Sequence, residues 1–278
     1  MGLTTGRGKG RPDPALSWGE MDVRVAMLHL DLSGGPEDRN LELLRRGMVQ
    51  AGEAGADWVL TPETAVQGYF FTQKDRPYRI PVQPAPMLDP IRRAAAKLDM
   101  TVFLGCAEYD EVDGKCYNSC LVIDPSGEVA GRHRKVRSHG SGAEGWASKG
   151  EDFSPVPCRD LTAGILVCAD AYFDEYAREL REKQAQVIVV PAAWPPGGCG
   201  GPPENAWKRC SRASGLPVWI CNQTGNTERM DMSQAQSAVV VDGEMRLAYS
   251  GLQPAALVFD WNVAANRLAS EEFTIIPV

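Results

Sequence analysis

Short apolar runs alternate along this chain with stretches of helical period. VRVAMLHLDL (23–32) is rich in apolar and β-branched residues and predicts a strand. In PEDRNLELLRRGMVQAGEAG, which follows, Pro36, Glu37 and Asp38 suit a first helical turn, Leu41, Leu44, Met48 and Ala51 form one apolar stripe, and Gly55 can close the helix. DWVLTPE is a short buried strand ending at Glu63. PMLDPIRRAAAKLD gives a second helix with Ile91, Ala94, Ala95 and Leu98 inward, and MTVFLGCAEYD another strand. CYNSCLVIDPSGEVAGRHRKV reads as two strands joined by the turn DPSG, with Lys135 near the end of the second.

From 137 to 159 the pattern lapses into Gly, Ser and Pro, which predicts a long loop, and loops of that length are often functional. LTAGILVCAD then predicts a strand and DEYARELREKQAQ a helix, with Asp174 and Glu175 at its start, Arg181 and Lys183 towards its end, and Phe173, Ala177 and Leu180 facing the core. VIVVPAAW is a buried strand, 204–214 helical, LPVWICNQTG a strand, SAVVVDGEMRLAYS a hairpin around DGE, and AALVFDWN a last strand. Each half therefore runs strand–helix–strand–hairpin, which predicts an α/β fold with mixed sheets and flanking helices. With no linker visible, one domain is expected over 22–278, behind a flexible, Gly-, Pro- and charge-rich tail over 1–21.

Composition narrows the function classes. The 278 residues are 44% hydrophobic and 23% charged, as in an ordinary globular enzyme, and the net charge of −7 disfavours a nucleic-acid partner. No apolar run approaches the ~20 residues that span a bilayer, and the N-terminus lacks the apolar stretch of a secretory signal, so no membrane partner is expected. Eight cysteines without paired zinc spacing fit a reduced, cytoplasmic protein. Three histidines, none in H-x-x-x-H, disfavour a metallohydrolase, and no metal or organic cofactor is expected.

Ligands of open α/β sheets bind beyond the carboxyl ends of the strands. Glu63, Lys135 and Cys168 all sit at such ends. A thiol can attack, a carboxylate can move protons, and an ammonium can stabilise developing negative charge. Each alone has an ordinary structural explanation, and it is the coincidence of all three that carries weight.

These segments resemble those of the carbon–nitrogen hydrolase, or nitrilase, superfamily in order and spacing. DWVLTPETAVQGYF resembles the stretch bearing the family's catalytic Glu, GRHRKVRSHG the stretch bearing its Lys, and GILVCADAYFDEYARELREKQAQVIVVPAAW the nucleophile stretch. AEGWASKGEDFSPV resembles the segment of a second glutamate, here Glu144, which helps position substrate and lysine. The resemblance spans most of 23–262 and implies an α-β-β-α sandwich that dimerises, or assembles further, to extend the layering. Three departures stand out: His133 replaces the usual aromatic two before the lysine, Asp174 replaces a proline, and PPGGCGGPP after Trp194 is unusually rich in Gly and Pro.

The resemblance implies a catalytic set of Glu63, Lys135, Cys168 and Glu144. A Cys168 thiolate would attack a small amide or ureide, with Glu63 as acid and base and with Lys135 and the backbone N–H after Cys168 on the oxyanion. A helix start beyond Cys168 and the Lys135 charge are both expected to lower the thiol pKa. Ala169 and Asp170 follow the cysteine where true nitrilases carry Trp-Glu, which argues for an amide or N-carbamoyl substrate. Trp194 resembles a substrate-pocket tryptophan, with core packing as the alternative. Tyr69, Tyr172 and Asn222 are further pocket candidates, and His139 could meet a substrate carboxylate, a plain loop histidine being the other reading. Three other functions fit the same residues: acyl transfer from the thioester to an amine, nitrile hydrolysis, or a binding subunit with an idle triad.

Overall fold

The computed structural model describes residues 22–73, 78–138, 140–197 and 201–278. The expected tail over 1–21, the candidate His139 and Cys199 lie outside them. Two mixed sheets pack face to face. The first contains β1 (Asp22–His29), β2 (Trp58–Leu60), β3 (Thr101–Asp110), β4 (Lys115–Ile123) and β5 (Val129–Arg134). The second contains β6 (Val156–Pro157), β7 (Thr162–Ile165), β8 (Val187–Pro191) and β9 (Val218–Cys221). Beyond a two-stranded ribbon of β10 (Asn226–Thr227) and β11 (Met230–Asp231), the hairpin β12 (Gln236–Val241) and β13 (Glu244–Ser250) completes the second sheet in the order β13-β12-β9-β8-β7-β6. The chain then returns to the first sheet as β14 (Ala255–Asn262), β15 (Arg267–Leu268) and β16 (Thr274–Pro277). The order there is β15-β14-β1-β2-β3-β4-β5, with β16 also on β14.

Alternation within β1 sets the layers, because successive side chains of a strand point to opposite faces. Val23, Val25 and Met27 join the core shared with the second sheet, where Trp58 and Trp219 meet edge-on with ring centroids 5.8 Å apart. Ala26 and Leu28 face the other way, onto α1 (Glu37–Glu53) and α2 (Asp89–Leu98), through Leu44, Met48, Ala51, Ile91 and Ala95. On the far side, α3 (Asp174–Glu182) and α4 (Pro203–Ser214) cover the second sheet with Ala177, Leu180, Ala206 and Trp207. The result is the α-β-β-α order.

Pro36 caps α1 rather than opening its first turn, and Gly55, just past the end, takes φ +81° as a helix-closing glycine does. The hairpin turn falls at Asp242 and Gly243, both at positive φ, as a tight two-residue connection needs. Four expectations are corrected. AALVFDWN is not the last strand, since β15 and β16 follow it with only two and four residues each. The 137–159 loop contains a 3₁₀ turn, Gly142–Glu144, and the short β6. Phe173 is only partly buried, with the Arg137 guanidinium 4.9 Å over its ring. The strand before Cys168 stops at Ile165.

β3 lies so close to the segment after β2 that residue 105 must lack a side chain. A Cβ there would come within 2.0 Å of the Pro62 carbonyl oxygen, and Pro62 precedes Glu63. Gly105→Ala is expected to destabilise the fold by more than about 2 kcal/mol, read as a lowered urea midpoint with unchanged slope. Among the described residues, no helix is long and apolar enough to cross a membrane.

Candidate active site

Glu63, Lys135 and Cys168 leave three different strands of two different sheets, and the sandwich brings them together. Glu63 follows β2 by three residues, Lys135 follows β5 directly, and Cys168 opens a 3₁₀ turn, Cys168–Tyr172, three residues past β7. Glu63 and Lys135 are completely buried, and Glu144 almost so. Lys135 Nζ donates to Glu63 Oε1 at 2.7 Å and to Glu144 Oε1 at 2.5 Å. Asn118 Nδ2 donates to the same Glu63 oxygen at 2.7 Å. The Ala193 N–H donates to Glu63 Oε2 at 3.1 Å, and Gln223 Nε2 holds the Glu63 backbone carbonyl at 2.8 Å. Tyr69 donates its hydroxyl to Glu144 Oε1 at 3.0 Å. The Glu144 turn is pinned from outside by Trp146, whose ring meets Phe71 at 5.0 Å.

Cys168 is 7% exposed and has φ +48°, in the left-handed region that an L-residue adopts only when its surroundings hold it there. The turn behind it is held by Asp170, which accepts the N–H of Val167 at 3.1 Å, of Val136 at 3.1 Å and of Arg137 at 2.6 Å. One carboxylate thus ties the residue before the nucleophile candidate to the two residues after Lys135.

The electrostatics follow from three charges taken out of water. Burial raises the Glu63 carboxyl to about 7; the Lys135 charge pulls the other way and the nearby Glu144 carboxylate adds to the rise. Burial works against the Lys135 ammonium, but Glu63, Cys168 and Glu144 outweigh it and keep it protonated well above the usual range. Burial and the Glu63 charge push the Cys168 thiol well above its ordinary value, against the pull of Lys135 and of the Ala193 N–H. The expected lowering of this thiol is therefore corrected. A regular helix begins only at Asp174, six residues beyond Cys168, and the benefit of a helix dipole fades within a turn. Desolvation beside a carboxylate thus favours the thiol over the thiolate at this sulfur.

The remaining candidates divide. Tyr69 reaches the charged cluster through Glu144, and burial with the Glu63 and Glu144 charges keeps its phenol protonated. Tyr172 lies tilted against Trp194, centroids 4.6 Å apart, and Trp194 meets Trp207 at 5.9 Å, so Trp194, 3% exposed, packs in the core. Asn222 spends its amide on Trp194, accepting its N–H and donating to its carbonyl, both at 2.9 Å. That brace fixes the Trp194 backbone next to the Ala193 N–H on Glu63. Asn118, Asp170, Gln223 and the Ala193 N–H are partners that sequence reasoning missed. Among the described residues, no group of three or more His, Cys, Asp and Glu is placed to hold a metal ion.

Known proteins resemble this chain in sequence and in fold. The curated relatives include a citrullinase of Francisella tularensis, 28% identical over 182 residues, 62% of this chain and 62% of that protein. They also include an (R)-stereoselective amidase of a Pseudomonas species, 29% identical over 58% of this chain and 57% of that protein. A rice N-carbamoylputrescine amidase is 25% identical over 76% of this chain and 74% of its own length. The chain thus spans about three fifths of the length of several curated relatives. Among solved structures, a branch 10 nitrilase-superfamily member from Saccharomyces cerevisiae superposes with a TM-score of 0.76 at 19% identity, covering 88% of this chain and 92% of that one. A Nesterenkonia amidase variant, with the acetamide moiety of fluoroacetamide covalently added at its active-site cysteine, superposes with a TM-score of 0.72 at 21% identity, covering 89% and 93%. The sequence model of the carbon-nitrogen hydrolase family matches residues 24–251, and the chain belongs to that family.

Proposed function

We propose that the protein hydrolyses the C–N bond of a small amide or N-carbamoyl compound through a thioester on Cys168. The observation that carries this reading is the buried Glu63–Lys135–Glu144 cluster whose charges all act on the Cys168 sulfur. Glu63 Oε1 is filled by Lys135 and Asn118, whereas Oε2, with one N–H donor, keeps acceptor capacity for a proton. Glu63 takes the Cys168 proton as the sulfur attacks the carbonyl carbon. Lys135 and the Ala169 N–H stabilise the oxyanion. The C–N bond breaks, and Glu63 returns its proton to the leaving amine. Water then attacks the thioester, giving one proton to Glu63, and the thiol re-forms as the acid leaves. Glu144 holds Lys135 in place. Relatives named citrullinase, amidase and N-carbamoylputrescine amidase, together with Ala169 after the cysteine, support an amide or N-carbamoyl substrate over a nitrile.

A panel of amides, N-carbamoyl amines and nitriles, read by released ammonia and by intact mass, tests this. The expected result is turnover of the first two classes with a transient adduct on Cys168. Cys168→Ala should show no adduct and a loss on the order of 10⁴-fold or more. Turnover persisting in a folded Cys168→Ala protein would end the proposal.

A further inference from the structure

His133 stands where relatives of this family commonly carry an aromatic residue, and its ring is 4% exposed. Both ring nitrogens face acceptors. Nδ1 lies 3.2 Å from the Asp152 carbonyl oxygen and Nε2 lies 3.0 Å from Asp170 Oδ2. A carbonyl oxygen cannot donate, so Nδ1 carries a hydrogen. Asp170 already accepts three backbone N–H groups, from Val136, Arg137 and Val167, so its oxygens meet the ring as acceptors. Nε2 must then carry a hydrogen too. The Phe153 ring lies against the imidazole, centroids 5.5 Å apart and 33° from parallel, a placement that suits a cation.

We propose that His133 and Asp170 form a buried imidazolium–carboxylate pair that positions the catalytic lysine against the nucleophile. The pair rests on the thioester reading above for its purpose, but its charge state stands on hydrogen-bond chemistry alone. Its place in the chain gives it leverage. Asp170 grips the lysine segment on both sides of Lys135, through His133 before it and Val136 and Arg137 after it, and through Val167 it grips the residue before Cys168. A neutral side chain at 133 would leave a buried carboxylate with no counter-charge, and the two segments could drift by fractions of an ångström. Neither residue touches Glu63, Lys135 or the sulfur in any hydrogen bond that holds the cluster, so both are positioning residues.

The test has two arms. In the wild-type protein, labelled with ¹⁵N-histidine at pH 7, both His133 ring nitrogens should resonate in the protonated range. The signals are assigned among the three histidines by elimination, using His29→Asn and His139→Gln. A bare ring nitrogen at His133 overturns the pair. In the second arm, His133→Gln and His133→Tyr are compared with wild type for acylation of Cys168 in a single turnover. Both keep a hydrogen-bond donor and lose the charge. The acylation rate constant should fall on the order of 100-fold in each, with KM within about threefold, because misplacement of reacting groups costs rate rather than binding. Wild-type rates in either folded variant overturn the pair. Absence of any adduct in the wild-type protein would instead defeat the thioester reading, and the spectrum would still decide the charge state.

Discussion

Lys135→Met should lower kcat/KM for an amide by at least about 10³-fold, the loss expected when a donor to a developing oxyanion disappears. The loss has a second source. Lys135 is the shared counter-ion of Glu63 and Glu144, at 2.7 and 2.5 Å, with both carboxylates buried. Without it, two like charges face each other in a low-dielectric site, and Glu63, already raised to about 7, is driven higher. It would then hold its proton at neutral pH and could not accept that of Cys168. Breaking a buried ion pair from one side also costs about 3–5 kcal/mol of stability. The sign of the pH dependence follows. Carboxyl groups with raised folded pKa values hold protons that the unfolded chain has released, so the variant's deficit should shrink as pH falls from 8 towards 5. Urea unfolding at those two pH values measures it. Lys135→Arg should not rescue activity, because a planar guanidinium cannot replace a compact ammonium between two fixed carboxylates. A folded methionine variant within tenfold of wild-type kcat/KM would remove Lys135 from the mechanism.

Much of this architecture was legible because burial writes a period into the chain. The stripe Leu44, Met48, Ala51 announced α1, and the apolar runs of β1, β3, β8 and β14 announced buried strands. Short edge strands such as β15 and β16 were not legible, since two to four mostly exposed residues carry no periodic signal. The charged residues of the site stood out by type and by their place at strand ends. Their partners did not. Asn118 lies in the apolar strand CYNSCLVI, where an amide at a buried position has to be hydrogen-bonded, and that was a usable signal. Asp170 closed the expected strand LTAGILVCAD and spoke only to the substrate class, because sequence separation hides that its carboxylate faces N–H groups more than thirty residues away. The Ala193 N–H has no signature at all, since a backbone donor is the same atom in every residue but proline. The thiol's direction of shift went astray for a related reason: helix dipoles can be guessed from sequence, whereas complete desolvation beside a carboxylate is known only from the packed site.

Glu63→Gln should stop turnover before the thioester forms, because an amide can neither accept the Cys168 proton nor protonate the leaving amine. The amide oxygen of glutamine can still accept from Lys135 and Asn118, so the cluster keeps its shape on that side. It cannot take a proton from the thiol or from water, so single-turnover acylation of Cys168, read by intact mass, should slow with kcat/KM on the order of 10³-fold and no adduct should accumulate. The same substitution should erase a pH dependence of folding. An unfolded glutamate releases its proton near the ordinary 4.5, whereas folded Glu63 keeps it to about 7 because burial disfavours the anion. Between those values the native protein binds one proton that the unfolded chain lacks, so stability falls as pH rises, by on the order of 3 kcal/mol across the window. Lys135 stays charged throughout that range and adds no opposing slope. Removing the carboxyl should flatten the profile between pH 4.5 and 7 whatever it does to absolute stability, since the amide does not titrate. A Glu63→Gln protein whose unfolding free energy keeps the wild-type slope across that window would show that the proton resides elsewhere, and the acid–base role of Glu63 would fall with it.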